Sequence, residues 1–369
     1  MGLNCGIVGL PNVGKSTIFS ALSSAPAEAA NYPFCTIEPN IGIVSVPDER
    51  LDKIAEIFQP KKIIPAVVEF VDIAGLVKGA SNGEGLGNKF LSHIRQVGVI
   101  AHVVRCFVND DIIHVNGKID PLSDIEVINI ELALADLETV EKRKEKLEKQ
   151  LKATSKDGGK EARAVLELLE KLKEGLGKGT PARFLGFAED QVELISDLHL
   201  ITMKKQIYVC NVDEEALKAG NKYIDMVKEH AKKEGAIAVP ICGKLESEIS
   251  LLETIQERKE FLKEAGLEES GLAKLIYSGY NLLGLRTYFT AGEPEVRAWT
   301  FCEGDKAPQA AAVIHTDFEK GFIRAEVYHY DDLLKYGTEQ KVKEAGKLRI
   351  EGKEYLVKDG DIMHFRFNV

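Results

Sequence analysis

The chain has 369 residues, of which 44% are hydrophobic, and this is enough for two domains that each bury a core. Its formal net charge of −10 argues against an indiscriminate polyanion binder, although a local basic patch remains compatible with contact to RNA or a ribosome. No stretch approaches the roughly 18 apolar residues of a membrane helix, and the six cysteines include no Cys-x-x-Cys pair. We therefore expect a cytoplasmic protein with reduced thiols and no membrane partner.

Strand-like apolar runs alternate with segments of helical period along the first two thirds of the chain. This alternation predicts a parallel α/β sheet. In such a sheet ligands bind at the carboxyl ends of the strands, so functional residues are expected where these runs end. The runs are Cys5–Val8, Val67–Ile73, Val99–Phe107, Gln206–Asn211 and Ala236–Ile241.

A phosphate-binding loop follows the first of these runs. Gly9-Leu10-Pro11-Asn12-Val13-Gly14-Lys15-Ser16-Thr17 has the spacing Gly-x4-Gly-Lys-Ser and precedes a helix-like segment. The glycines let successive backbone N–H groups turn inward around a phosphate chain, and the helix adds its positive dipole end. Lys15 is expected to reach the β- and γ-phosphates, and Ser16 to give a hydroxyl to Mg²⁺. The alternative, a glycine-rich turn that matches by accident, is disfavoured by the strand and helix on either side. We expect nucleotide contacts from Asn12, Val13, Gly14, Lys15, Ser16 and Thr17.

Two further segments extend this site. Asn31-Tyr32-Pro33-Phe34-Cys35-Thr36-Ile37-Glu38-Pro39-Asn40 is a polar loop punctuated by proline. Its Thr36 is expected to give Mg²⁺ a second hydroxyl when the γ-phosphate is present, although alone it would be an ordinary loop threonine. Asp72-Ile73-Ala74-Gly75 closes the second apolar run. Asp72 is expected to hold Mg²⁺ through water, and the Gly75 amide to contact the γ-phosphate.

A different pattern extends from about residue 125 to residue 200. Apolar residues recur at alternating three- and four-residue steps on both sides of a breaker at Ser155–Lys160. This predicts an antiparallel helical hairpin with a narrow apolar seam, which projects as an arm. Two surface helices that flank the sheet are the alternative. The seam positions are Leu137, Val140, Lys144, Leu147 and Leu151 in the first helix, and Val165, Leu169, Leu172 and Leu176 in the second.

From about Leu283 the pattern changes to short alternating strands with turn residues, which predicts a compact second domain of mixed α+β type. Its basic residues form either one face or a set of scattered solvated charges, and the sequence does not decide between them. The predicted strands are Val296–Phe301, Ala310–Ile314, Ile323–Tyr328, Lys353–Val357 and Asp361–Phe367.

Four motifs carry a specific resemblance. Asn12 inside the phosphate loop, the segment 31–40, Asp-Ile-Ala-Gly-Leu at 72–76 and Asn-Val-Asp-Glu at 211–214 resemble the YchF, or Obg-like ATPase, family of P-loop NTPases. The resemblance covers essentially the whole chain. The helical hairpin resembles that family's coiled-coil insertion, and residues 312–326 resemble part of its TGS domain, a small β-grasp module.

This resemblance implies a fold and a function. The fold is an α/β P-loop NTPase domain over residues 1–283, with the coiled-coil arm inserted at about 125–200, and a C-terminal TGS domain over 284–367. The function is Mg²⁺-dependent ATP hydrolysis coupled to ribosome association, with RNA as a further partner, in a monomer that regulates translation or a stress response.

The base-reading segment departs from the GTPase pattern. GTPases of this fold use Asn-Lys-x-Asp after the fourth core strand to recognise guanine. Here Asn211 remains, Val212 replaces the lysine and Glu214 replaces the aspartate. The longer stem misplaces the carboxylate for guanine, and a bidentate base contact discriminates by only about 1–3 kcal/mol. We therefore expect ATP to be preferred; the alternative, an ordinary GTPase, requires that Glu214 still reaches guanine.

The catalytic apparatus also departs from that pattern, because Leu76 occupies the position of a glutamine that orients the attacking water in related GTPases. Beside Lys15, two candidate catalytic residues remain. Asn12 is expected to ligate a monovalent cation such as K⁺ beside the phosphates. His114 is expected to orient the water after a loop movement, the alternative being a packed structural histidine. Leu76 also fits a second class of function, a nucleotide-sensing binding module with incidental hydrolysis.

Overall fold

The computed structural model describes residues 3–24, 40–73, 86–112, 114, 117–153, 159–252 and 254–368. These residues divide into two compact units. The first contains the described residues within 1–24, 38–42 and 70–275, and the second contains those within 43–69 and 276–369. The domain boundaries expected from the sequence, 1–283 and 284–367, stay a prediction.

The described strands belong to two six-stranded sheets. In chain order they are β1 Asn4–Val8, β2 Ile41–Ser45, β3 Ile63–Ile64, β4 Val67–Asp72, β5 Val99–Arg105, β6 Lys205–Asn211, β7 Ile237–Ile241, β8 Leu285–Ala291, β9 Val296–Cys302, β10 Phe322–His329, β11 Arg349–Glu351 and β12 Asp361–Phe367. The first sheet has the order β2-β4-β1-β5-β6-β7, and the second has the order β11-β10-β12-β8-β9-β3.

Several helices begin at residues whose side chains cap them. Asn221 accepts a hydrogen bond from the Ile224 N–H at 2.9 Å, and Thr254 accepts one from the Glu257 N–H at 3.1 Å. The helices are α1 Lys15–Ser24, α2 Glu49–Phe58, α3 Leu86–Gln96, α4 Pro121–Ala153, α5 Gly159–Gly177, α6 Glu189–Leu194, α7 Glu214–Ala219, α8 Lys222–Glu234, α9 Gly243–Ser250, α10 Ile255–Glu264, α11 Gly271–Leu282, α12 Ala307–Ile314, α13 Thr316–Lys320, α14 Tyr330–Tyr336 and α15 Glu339–Glu344. Among the described residues, no helix combines the length and the apolar character that a bilayer crossing requires.

Four parallel strands form the centre of the first unit. β1 pairs with β5, β5 with β6, and β6 with β7, all in parallel. Every residue of β5 is buried, as is every residue of β6 after Lys205, which is the pattern of strands covered on both faces. The strands predicted at these four places are confirmed, although β5 ends at Arg105 and not at Phe107.

The helical hairpin is antiparallel. The Lys144 ammonium lies 2.6 Å from the Glu170 carboxylate, and the Lys173 ammonium lies 2.7 Å from Glu141, so residue numbers increase in opposite directions along α4 and α5. The predicted seam packs between the helices: Val140, Leu147, Leu169, Leu172 and Leu176 are buried there, with Leu137, Leu151 and Val165 partly buried. The breaker at Ser155–Lys160 lies mostly outside the described residues.

The first turns of α4 pack differently from the rest of the helix. Ile125 joins the apolar cluster that covers β5 and β6, together with Val104, Tyr208 and Val227. The alternative prediction, a helix that flanks the sheet, therefore describes the start of α4, and the hairpin prediction describes its continuation.

In the second unit, β8 pairs antiparallel with β9, and β10 pairs antiparallel with both β11 and β12. The predicted strand at Ala310–Ile314 is wrong, because that segment belongs to α12. Its run of alanines favours helix, and Pro308 fits the first turn, where a missing N–H costs nothing. Lys353–Val357 is also not a strand and contributes one isolated bridge, Lys306 to Leu356.

Candidate nucleotide-binding site

Four loops that follow β1, β5, β6 and β7 surround one cavity of about 730 Å³. The carboxyl ends of parallel strands meet at one edge of a sheet, which is where ligands bind in open α/β folds. The cavity is lined by Asn12, Gly14 and Thr17 after β1, by Phe107, Asn109 and Ile112 after β5, by Asn211, Val212, Asp213, Glu214 and Glu215 at the end of β6, and by Cys242, Gly243 and Lys244 after β7.

The phosphate loop has backbone angles that few residue types adopt. Gly14 has a φ of +92°, and a Cβ at this position would lie 2.0 Å from Asn211 Nδ2. Asn12 has a φ of 62°, in the left-handed region that asparagine tolerates better than most residues. Val13 is buried, whereas Ser16 and Thr17 are exposed. The loop is thus anchored by two buried apolar residues, Leu10 and Val13, and presents the hydroxyls of the first turn of α1.

Lys15, the first residue of α1, forms an ion pair with Asp72, the last residue of β4. Their side chains are 11% and 20% exposed, so both groups remain partly accessible. The structure therefore brings together the lysine and the aspartate that the sequence assigned to phosphate and to Mg²⁺. Thr36, Gly75 and Leu76 lie outside the described residues.

The donor set suits magnesium. Mg²⁺ prefers oxygen ligands and usually retains several waters, binding through one or two protein groups and the substrate phosphates. The exposed Ser16 hydroxyl and the partly exposed Asp72 carboxylate offer that chemistry. The described residues contain no cluster of three or more His, Cys, Asp or Glu side chains that could hold a metal by itself. Such a cluster is not needed where the phosphates supply ligands.

Asn211, at the end of β6, bonds main-chain groups that follow each of the other three strands. Its Nδ2 donates to the Val13 carbonyl at 2.8 Å, and its Oδ1 accepts from the Gly243 N–H at 3.1 Å. Its own carbonyl accepts from the Cys106 N–H at 2.8 Å. The residue is 6% exposed. The asparagine retained from the GTPase pattern thus fixes the loops relative to one another.

The residues after Asn211 have distinct roles. Val212 is 3% exposed and packs in the apolar cluster beside the cavity. Asp213 caps α7 by accepting from the Ala216 N–H at 2.7 Å. Glu214 is exposed, and its carboxylate lies 3.4 Å from the Lys244 ammonium; this hydrogen bond raises the pKa of Lys244. The Glu214 carboxylate therefore has a lysine partner at the rim of the cavity.

His114 is not among the described residues that line the cavity. Its Nε2 is 2.9 Å from Asp124 Oδ2, and the two side chains are 6% and 2% exposed. The structure thus places this histidine in a buried pair with a residue of α4. Its catalytic role stays a prediction.

Sequence reasoning missed the residue that organises the loop after β5. Arg105 ends β5, is 1% exposed and hydrogen-bonds three carbonyls of that loop. The sequence signal that could have identified it is an arginine near the end of the apolar run Val99–Phe107, which the sheet pattern predicts to be buried.

Comparisons with known proteins agree with this geometry. The family described as "50S ribosome-binding GTPase" matches residues 4–144, and the family YchF-GTPase_C, described as a protein of unknown function, matches residues 285–368. The chain is 58% identical to "Ribosome-binding ATPase YchF" of Bacillus subtilis, 57% identical to the protein of that name from Haemophilus influenzae, and 55% identical to the one from Escherichia coli O157:H7. In each case the match covers 100% of both chains.

A solved structure, described as that of the Schizosaccharomyces pombe YchF GTPase, has a TM-score of 0.88 and 44% identity, and the match covers 99% of this chain and 98% of that one. The fold class predicted from the sequence, a P-loop α/β domain with an inserted helical hairpin and a C-terminal TGS-type domain, is confirmed. With full-length relatives at this level of identity and a matching structure, the chain belongs to the YchF family.

Proposed function

We propose that this chain is an ATPase that prefers ATP to GTP, uses Mg²⁺ and associates with the ribosome to regulate translation or a stress response. The observation that carries the proposal is the cavity at the carboxyl edge of the parallel sheet. One end of it is the phosphate loop, and the other is a base-reading segment altered from the guanine pattern.

At the phosphate end, the chemistry is charge neutralisation and positioning, which supply most of the catalysis in phosphoryl transfer. Lys15 would leave its pair with Asp72 and contact the β- and γ-phosphates. The N–H groups of residues 12 to 17 would cradle the phosphate chain, and the dipole of α1 adds positive potential. Ser16 and Thr36 would hold Mg²⁺ directly, Asp72 through water, and the Gly75 amide would meet the γ-phosphate. The metal would neutralise the charge that develops on the phosphates.

At the base end, two features support a preference for adenine. Val212 offers an apolar contact where a guanine-specific site offers a lysine stem and charge. The Glu214 carboxylate lies 3.4 Å from the Lys244 ammonium, so it has a competing partner at the rim of the cavity. Guanine recognition depends on a carboxylate that accepts two hydrogen bonds, so a partnered carboxylate on a longer stem weakens it.

Because Leu76 has no polar group, it cannot act on the attacking water, and other groups must do so. We assign this role to K⁺ bound at Asn12, whose exposed side chain lies in the phosphate loop, and to His114 after a loop movement. A higher ATPase rate in K⁺ than in Na⁺ at equal ionic strength, lost in Asn12→Ala, is the expected result. Equal rates in both salts would remove K⁺ from the mechanism, because general screening acts alike on both ions.

The names of the bacterial relatives support the partner. Each is called a ribosome-binding ATPase. On this basis we propose the ribosome as the partner. We also propose a cytoplasmic location, a monomeric state and RNA as a further contact.

The decisive experiment adds purified ribosomes to the protein and measures ATP hydrolysis. A timing ATPase is expected to be stimulated by ribosomes. A nucleotide sensor would bind ribosomes in an ATP-dependent way at an unchanged hydrolysis rate, which would refute the role of a timing ATPase and leave hydrolysis incidental.

The second candidate is a GTPase. It is favoured by the retained Asn211 and by the fission-yeast relative, which is described as a GTPase. Competition binding of ATP against GTP distinguishes the two, since a parent protein that prefers GTP would replace the ATPase assignment.

A further inference from the structure

Arg105 occupies an unusual place for a charged residue. It ends the fully buried strand β5 and is itself 1% exposed. Burial lowers the pKa of its guanidinium, while the nearby Asp124 carboxylate acts in the opposite direction. Arginine nevertheless stays charged in proteins, and a buried charge must be compensated by hydrogen bonds.

The compensation comes from one loop. Arg105 Nε donates to the Phe107 carbonyl at 3.3 Å, and its two terminal nitrogens donate to the carbonyls of Ile112 and Asn109, each at 2.9 Å. Among the described residues, Phe107, Asn109 and Ile112 are also the ones of this loop that line the nucleotide cavity. A single side chain therefore bonds the main chain of each described lining residue that follows β5.

The same guanidinium supports an aromatic ring. Arg105 Cζ lies 4.6 Å from the centroid of the Phe107 ring, within the range of a cation–π contact. Phe107 lines the cavity, whereas Arg105 is buried and does not. The ring is therefore backed from the protein interior and belongs to the wall of the cavity.

A surface loop without such a support loses conformational freedom when a ligand binds, and that loss reduces affinity. We propose that Arg105 is a positioning residue for nucleotide binding: it holds residues 107–112 as a preformed wall at the base end of the cavity. The wall sets both ATP affinity and the choice between adenine and guanine. This inference rests on the proposed nucleotide function of the same cavity.

The chain offers a matched control in Arg183. Its guanidinium lies 4.6 Å from the centroid of the neighbouring Phe184 ring and donates to the Thr202 carbonyl at 3.3 Å. It also pairs with Glu234 at 3.1 Å. Arg183 is partly buried and is not among the residues that line the nucleotide cavity. It shares with Arg105 the contact to a neighbouring phenylalanine ring and a bond to a main-chain carbonyl, away from the proposed site.

The experiment compares Arg105→Met with Arg183→Met in the full-length protein. Dissociation constants for ATP and GTP, kcat and KM for ATP, and thermal unfolding are measured for each. We expect Arg105→Met to raise the ATP dissociation constant and KM by about tenfold, with kcat within about twofold and a reduced preference for ATP. Arg183→Met should lower the unfolding temperature while leaving affinity and preference at parental values.

The opposite result overturns the inference. If Arg105→Met keeps parental ATP affinity and preference while losing stability as Arg183→Met does, Arg105 is only structural. Where Arg105→Met does not fold, Arg105→Lys tests the same point, because a lysine keeps the charge but cannot reach three carbonyls in a fixed fork. An Arg105→Lys variant with parental ATP affinity and parental nucleotide preference would refute the positioning role.

Failure of the proposed function has a different signature. A parent protein that binds neither nucleotide contradicts the ATPase assignment and this inference together. A parent protein that prefers GTP contradicts only the ATPase assignment. The role inferred for Arg105 then still holds, and Arg105→Met is expected to weaken GTP binding. Millimolar guanidinium added to Arg105→Ala provides an independent check, because it should restore affinity if the missing group is the support of the wall.

Discussion

The two ends of the nucleotide cavity are built in different ways. At the proposed phosphate end, the phosphate loop is one continuous stretch, residues 9–17, whose geometry depends on local features such as the positive φ of Gly14. The base end is assembled from three segments far apart in the chain, after β5, β6 and β7. It depends on two buried side chains: Arg105 donates to carbonyls of the loop that follows β5, and Asn211 bonds the Val13 carbonyl and the Gly243 N–H of two other loops.

This difference has an energetic consequence. At the phosphate end, Ser16 is exposed and Lys15 is partly accessible, and we expect changes to these side chains to cost the fold less. At the base end, removal of a connecting side chain leaves buried polar groups without partners, which costs about 1–3 kcal/mol for each group. Substitutions at the phosphate end should therefore change function with little change in stability, whereas substitutions at the base end should change both.

Lys15→Ala should give the largest functional effect and test this separation. Loss of a preorganised cation at the phosphates is expected to reduce ATP turnover by about 100-fold or more, since one such contact is worth roughly 3–4 kcal/mol in the transition state. The unfolding temperature should change little. Steady-state ATP hydrolysis and thermal circular dichroism measure both. Lys142→Ala, which removes an exposed ammonium paired with Glu138, is the control; parental turnover in Lys15→Ala would contradict the site.

Asn211→Ala should reduce stability and ATP affinity together. It leaves the Val13 carbonyl and the Gly243 N–H without their partner, so the free energy of unfolding is expected to fall by about 2–4 kcal/mol and ATP affinity to fall with it. Denaturant unfolding and nucleotide titration are the measurements.

Asn221→Ala is the matched control for that variant. Asn221 also makes two bonds, to the Cys106 carbonyl at 2.8 Å and from the Ile224 N–H at 2.9 Å, but it does not line the cavity. It should lose stability and keep ATP affinity. If Asn211→Ala also keeps parental affinity, the connection between loops does not matter for binding.

The smallest expected effect is a change of base preference. Val212→Lys with Glu214→Asp restores the chemistry of guanine recognition, and the ATP-to-GTP preference should shift toward GTP by about 1–3 kcal/mol. Each single change should shift it less. Competition binding measures the ratio. No shift in the double variant would place base selectivity elsewhere in the cavity, with the wall held by Arg105 as the first alternative.

The phosphate loop and the central strands could be predicted because their signals are local. A Gly-x4-Gly-Lys-Ser spacing and apolar runs of four to nine residues are properties of short stretches. The Ala310–Ile314 segment was predicted as a strand because an apolar run of that length does not distinguish strand from helix. Only its alanine content pointed to the helix that the structure contains.

The base end could be predicted only in part. The motif at 211–214 indicated that this segment reads the base, but nothing in it shows that Asn211 reaches Val13 and Gly243, or that Lys244 pairs with Glu214. Such contacts join residues tens to hundreds of positions apart, and one sequence carries no local trace of them. The buried pair of His114 with Asp124 is another example of a partner that the flanking residues do not reveal.

The continuity of α4 has a mechanical consequence. The helix has 33 residues, and at 1.5 Å per residue it is about 50 Å long. Its first turns pack on the strands that carry the nucleotide loops, and its later turns pair with α5. A helix anchored in this way is a lever: a tilt of about 5° at its base would displace its far end by about 4 Å. A shift of less than 1 Å near the nucleotide would thus be amplified several-fold at the tip of the arm.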